Sequence, residues 1–226
     1  MELQTHIGTD EVGTGDFFGP IVVAAALVET RAIKELLALG IKDSKRMNDK
    51  IILSLGTKLC DLVKHQVLIL TPRVFNQEMQ KYHNIKIILA KLHNLALRKL
   101  LHREKLSAFK QAIIIDQFVS AEHYFKYLED EKQVVTPVIF ETKAEDKYLA
   151  VALASCLARY YFLLEMKRIG QKYHTAIPLG AGNIVDTFAS ELLSKIGVMA
   201  LNDIVKMTFK NYQRVITKPI IAEESF

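Results

Sequence analysis

Five runs of apolar and β-branched residues recur along the chain, each too short for a long helix, and they predict strands. Residues 5–10 form a short run and 20–28 (PIVVAAALV) a continuous apolar one. Residues 65–71 alternate weakly, while 112–118 (AIIIDQF) and 134–142 (VVTPVIFET) are rich in β-branched residues. The glycine-rich segment 13–19 separates the first two, which fits an antiparallel hairpin.

Between these runs the apolar period lengthens to that of a helix. Residues 48–63 follow Asn48 as an N-cap, and 121–129 form a short helix. Residues 85–101 place Ile85, Ile88, Leu89, Leu92, Leu95 and Ala96 on one stripe, with Lys91, Arg98 and His102 opposite. Residues 145–169 are apolar nearly all round, so this helix is expected to be central. After Pro178-Leu179-Gly180-Ala181-Gly182 a last helical region covers 187–205. The order predicts an α/β domain over 1–177, with a mixed central sheet flanked by helices, and a helical C-terminal extension over 178–226 packed on it.

Composition narrows the classes without choosing one. Half of the 226 residues are apolar and a quarter charged, which is globular rather than disordered. A net charge of +5 leans mildly toward an anionic partner. Cys60 and Cys156 lack metal or redox spacing, so buried reduced thiols are expected. The N-terminus shows no basic segment followed by an apolar one, hence no signal peptide is read. The apolar stretch 149–164 is broken by Arg159 and is taken as too short for a bilayer. A soluble, cytoplasmic monomer is the expectation, since no heptad seam suggests otherwise.

Three acidic segments carry candidate chemistry. In Gly8-Thr9-Asp10-Glu11-Val12-Gly13-Thr14-Gly15-Asp16, two acids end a strand and lead into alternating glycines, which admit a ligand close to the backbone. The segment reads equally as a metal-binding edge or as a charged tight turn. Neighbouring strand residues point to opposite faces, so for Asp10 and Glu11 to share a site Glu11 is expected to lie already in the turn. Asp116 ends the buried-strand pattern 112–115 and reads as a metal ligand or as an exposed strand-end acid. Glu145 and Asp146 open the long apolar helix, where acids are favoured by the helix dipole as well as by a metal. Four acids meeting at one sheet edge would hold two Mg²⁺ ions about 4 Å apart, as oxygen-preferring ions in phosphoryl-transfer nucleases are held. The seven histidines form no zinc spacing, and serine-hydrolase and P-loop signatures are absent.

Taken in order, these residues resemble the bacterial ribonuclease HIII family. The motif Asp10-Glu11-Val12-Gly13-Thr14-Gly15-Asp16-Phe17-Phe18-Gly19-Pro20 is similar to that family's opening, where the ribonuclease HII relatives carry arginine between the glycines. The likeness continues through Asp43-Ser44-Lys45-Arg46, His93-Asn94, Asp116-Gln117-Phe118, Lys143-Ala144-Glu145, Ala154-Ser155, Ala158-Arg159, Pro178, Gly180-Ala181 and Val185-Asp186. The resemblance implies an RNase H-like fold and an endonuclease that cuts the RNA strand of RNA/DNA hybrids, leaving 5′-phosphate and 3′-hydroxyl ends. It implies Asp10, Glu11, Asp116 and Glu145 as catalytic metal ligands, with Asp146 the rival for the fourth place. The cofactor implied is Mg²⁺ or Mn²⁺, two ions in the active complex, with no small-molecule cofactor and no membrane partner. Gly13, Thr14 and Gly15 would contact RNA 2′-hydroxyls, and Lys45, Arg46 and Lys143 phosphates.

The chain departs from the family in three ways. Nine residues precede Asp10, where ribonuclease HIII usually carries a domain resembling the TATA-binding fold. The expectation is a chain lacking it, with weaker and more salt-sensitive binding. Leu179 stands where a lysine is common, and Thr208 where a histidine is usual. Two other readings remain: HII-like incision at single ribonucleotides embedded in DNA, and an inactive hybrid-binding module.

Overall fold

The computed structural model describes residues 5–42 and 47–217. Five strands, β1 (His6–Val12), β2 (Ile21–Val28), β3 (Lys64–Leu70), β4 (Ala112–Asp116) and β5 (Ile139–Glu141), form one sheet in the order β3-β2-β1-β4-β5. The first three are antiparallel neighbours, whereas β1, β4 and β5 run parallel. The sheet is therefore mixed, as the sequence pattern predicts.

All eight residues of β2 are buried, which explains why its sequence lacks polar alternation. Val22, Ala24, Ala26 and Val28 face one core, and Ile21, Val23, Ala25 and Leu27 face another. The first core is filled by α1 (Ile33–Ala38), α2 (Asp49–Leu62), α6 (Leu149–Lys172), α7 (Asn183–Asn202) and α8 (Lys210–Ile216). The second is filled by α4 (Ile85–Arg103) with α3 (Pro72–Tyr82) and α5 (Ala121–Lys126). Val185, Ala189, Leu192, Leu201, Val205 and Val215 of the C-terminal part belong to the same apolar cluster as α6.

The central helix is α6, and its close approach to β1 depends on Gly8. A Cβ there would lie 2.3 Å from the Val151 nitrogen and 2.4 Å from the Ala150 carbonyl carbon. At 24 residues α6 runs past the apolar stretch 149–164, and by length and composition it is apolar enough to cross a bilayer. Its most apolar window is 67% buried inside the protein, as in a core helix.

Several boundaries differ from the sequence expectation. Of 134–142 only β5 is a strand, because the side chain of Asn94 takes the backbone groups before it. Asn94 donates to the Gln133 carbonyl and accepts from the Val135 N–H, both at 2.9 Å. Helix α6 begins at Leu149 rather than 145, after a 3₁₀ turn over Ala144–Asp146. Thr71 is the N-cap of α3, with Pro72 next to it, rather than the end of a strand. Helix α7 starts at Asn183 and bends at Gly197, whose φ is +76°.

Candidate active site

The acidic cluster sits at the C-terminal ends of β1 and β4. These strands are parallel, with Thr9 opposite Ile115, so Asp10 stands level with Asp116. Glu11 is still within β1, paired with Val23, and not in the turn that the sequence argument demands. The alternation rule holds nonetheless. Asp10 turns toward α6, where the Ser155 hydroxyl donates to its carboxylate, whereas Glu11 turns toward α4 and His93. The two acids share an edge because they lie at the end of the sheet. Its last residues can be approached from both faces.

Asp10, Asp116 and Glu11 are each oriented by a nearby donor. The Glu11 N–H donates to Asp10 Oδ1 at 2.8 Å, and the Ala144 N–H donates to Asp116 Oδ1 at 2.8 Å. His93 is fully buried and stacked on Phe118, and links Glu11 Oε2 (3.1 Å from Nε2) to Thr9 Oγ1 (2.8 Å from Nδ1). A carboxylate only accepts, so Nε2 carries a hydrogen, and in the neutral ring Nδ1 accepts from the Thr9 hydroxyl. The sequence resemblance includes His93 and Ser155 without giving either a task. Neither is near an acid in sequence, and only packing of α4 and α6 onto opposite faces of β1 shows what they hold.

Electrostatics ties the acids together. Burial, the Glu11 charge and the Asp116 charge push the Asp10 carboxyl well above its usual value, against the hydrogen bonds from Ser155 and the Glu11 N–H. Asp116 is likewise raised by burial and by the charges of Glu145 and Glu11, against the Ala144 N–H. Glu145 lies in the 144–146 turn and is half-buried, whereas Asp146 is exposed. Of these two neighbours it is Glu145 whose charge acts on Asp116. Its neighbour Lys143 is exposed, with a left-handed backbone (φ +52°).

A set of oxygen donors with surplus negative charge fits a hard divalent cation such as Mg²⁺ or Mn²⁺. Among the described residues no three His, Cys, Asp or Glu side chains form a ready-made metal cage. The acids share one edge, with Asp10, Glu11 and Asp116 each turned to its own hydrogen-bond donor.

The 13–15 turn extends from the same edge. Gly13 has φ +99°, and a Cβ there would lie 2.2 Å from the Pro20 carbonyl oxygen, so no other residue fits. Gly15 is exposed with nothing within 4 Å of a Cβ position, and Thr14 beside it is half-buried. Lys45 and Arg46 lie outside the described residues.

Comparisons with known proteins give the family. The sequence profile of the family Ribonuclease HII matches residues 7–212. Ribonuclease HIII of Bacillus cereus (strain AH187) is 40% identical over 210 residues, covering 92% of this chain and 67% of that protein. Ribonuclease HIII of Bacillus anthracis (strain A0248) is equally similar, at 40% identity over the same shares. Among solved structures, Bst-RNase HIII in complex with Mn²⁺ superposes with a TM-score of 0.90 at 38% identity, covering 95% of this chain and 70% of that one. Aquifex aeolicus RNase H3 superposes at 0.72 with 26% identity, over 92% of this chain and 73% of that one. The chain therefore belongs to the ribonuclease HII family, and within it to the ribonuclease HIII branch.

Proposed function

We propose that this chain hydrolyses the RNA strand of RNA/DNA hybrids endonucleolytically, leaving 5′-phosphate and 3′-hydroxyl ends. Asp10, Glu11, Asp116 and Glu145 are the residues proposed to hold Mg²⁺ or Mn²⁺, two ions in the active complex. The observation that carries the reading is the meeting of these acids at one sheet edge, where their charges raise Asp10 and Asp116. Bound divalent ions would supply an activated water and charge neutralisation at the scissile phosphate.

The protein's part is orientation. Ser155 and the Glu11 N–H set Asp10, His93 sets Glu11, and the Ala144 N–H sets Asp116 before substrate arrives. Selection of RNA is assigned to the 13–15 turn, whose open tip and bare backbone suit 2′-hydroxyls in a shallow minor groove. Lys143, exposed beside Glu145, is assigned to a phosphate. Residues 1–177 are proposed to carry the chemistry and 178–226 to form an extension packed on them. The protein is proposed to act as a cytoplasmic monomer, consistent with its two free cysteines, Cys60 and Cys156.

Labelled RNA/DNA hybrid, duplex DNA with one embedded ribonucleotide, and plain DNA, each with Mg²⁺ or Mn²⁺, test the reading. Cutting is expected within the hybrid, and Asp10→Asn is expected to abolish it while the fold remains. Equal rates on hybrid and embedded ribonucleotide would move the activity to the HII type. Normal cutting by Asp10→Asn would remove the proposed site.

A further inference from the structure

The C-terminal part reaches back to the turn between β1 and β2 through one residue. Lys206 is fully buried, which is costly for a lysine unless its amino group finds acceptors. It finds them in a single run of backbone. Its Nζ donates to the carbonyls of Asp16 at 2.7 Å, Phe18 at 3.4 Å and Gly19 at 2.6 Å. The remaining carbonyl of that run, on Phe17, accepts from the Lys206 main-chain N–H at 2.9 Å. Four consecutive carbonyls, 16–19, are thus bound by one residue.

The surrounding contacts hold the same segment. The Gly19 N–H donates to the Ile204 carbonyl, the Phe17 N–H to the Gly180 carbonyl, and the Gly180 N–H to Asp16 Oδ1. Behind Lys206, the Asn76 side chain accepts from the Met207 N–H and donates to the Val205 carbonyl, both at 2.9 Å. The tip of the turn is different. The Asp16 N–H to Gly13 carbonyl contact across it is long, at 3.4 Å, and Gly15 stands in open space. The direction of the tip is therefore set from its base.

We infer that Lys206 is a positioning residue for substrate recognition: by gathering the carbonyls of 16–19 it fixes the base from which the 13–15 turn meets the RNA strand. The inference rests on the assignment of that turn to 2′-hydroxyl recognition. Methionine would fill the same space and leave three carbonyls without their donor, so Lys206→Met isolates the amino group.

Amide exchange in the free wild-type protein is the first measurement. The Phe17, Gly19 and Lys206 amides are expected to exchange only near the limit of global unfolding. Exchange as fast as in an open loop would overturn the inference. Next, Lys206→Met is expected to speed exchange over 16–19 and to weaken hybrid binding about tenfold, the scale of one lost polar contact. Binding to plain duplex DNA is expected to change little, and the loss in cleavage to fall on KM rather than kcat. Unchanged hybrid preference in a folded Lys206→Met protein would overturn the inference. If that variant does not fold, Lys206→Gln, which keeps two donors on a shorter arm, enters the same assays and the same outcomes decide.

Gly15→Val fills the open space at the tip without touching its base, and it separates the two assignments. If Gly15→Val keeps the hybrid preference, the turn does not read RNA and the inference falls with that assignment. If Gly15→Val lowers the preference while the Lys206 variant does not, the inference falls alone.

Discussion

Replacing Gly8 by alanine perturbs the active site without altering any acid. The new methyl carbon would sit 2.3 Å from the Val151 nitrogen and 2.4 Å from the Ala150 carbonyl carbon. Both are backbone atoms of α6, so no side chain can swing aside. Ordinary contact begins at 3.4 Å, so β1 and α6 must separate by about 1 Å at this point, a strain of the size that overpacked cores show. The expected loss of stability is about 2–3 kcal/mol, which at this chain length lowers the melting temperature by roughly 4–12 °C. The same displacement draws Ser155, on α6, away from Asp10, two residues beyond Gly8 on the same face of β1. Misplacement of a catalytic group by about 1 Å is of the size that reduces rates by about 10²-fold. Calorimetry and hybrid cleavage below the new melting temperature measure the two effects separately. A Gly8→Ala protein with wild-type melting and wild-type rate would refute the claim that direct backbone contact between β1 and α6 builds the site.

Three further outcomes follow from the same geometry. His93→Ala removes the partner of both Glu11 and Thr9 and is expected to weaken Mn²⁺ binding about 10–100-fold by titration calorimetry; unchanged affinity would show that His93 merely fills space. In metal-free protein, Asp10→Asn removes a charge that burial and Glu11 disfavour while keeping an acceptor for the Glu11 N–H, so its melting temperature is expected to rise by a few degrees, equivalent to about 1 kcal/mol. Wild-type protein should gain stability from added Mg²⁺ and this variant much less, and equal gains would place the ion elsewhere. Burial pushes Lys206 down from 10.5 to about 7, with Asp16 pulling it partly back. Between those values the unfolded chain holds a proton that the folded chain has released, leaving two amine hydrogens for the near carbonyls of Asp16 and Gly19, so unfolding free energy should rise with pH from about 7 to 10.5, by at most about 1.4 kcal/mol per pH unit. Denaturant titrations of wild type and Lys206→Met across that range check the sign, and parallel curves would assign the rise to other groups.

Much of this fold is written locally. The all-apolar run 20–28 reads as a strand, which the structure buries on both faces, and Asn48 caps its helix through a 3.0 Å bond to the Ile51 N–H. The four acids proposed for the site were also legible, Asp10, Glu11 and Asp116 as charges closing strand-like runs and Glu145 through the family resemblance. Elements that depend on partners were not. Residues 134–138 have strand composition, yet Asn94, some forty residues away, takes the Val135 N–H and the preceding Gln133 carbonyl. The true start of α6, at Leu149, is likewise not marked by period.

The sequence by itself determined which residues carry charge, which stretches must be buried, and that Asp10 and Asp116 lie near strand ends; it opened the long helix at Glu145, four residues before the helix begins. It placed Glu11 in the turn, since adjacent strand residues point apart, and the structure keeps Glu11 in the strand. Only the tertiary structure decided how the two acids meet: the parallel pairing of β1 with β4 brings Asp10 level with Asp116 where the sheet ends. It alone revealed His93, Ser155 and Lys206 as the groups that hold the acids and the turn in place. The physical reason is range. Periodicity and capping act over a few residues, whereas these hydrogen bonds join groups 82, 145 and 187 positions apart, reckoned from Glu11 to His93, Asp10 to Ser155 and Gly19 to Lys206.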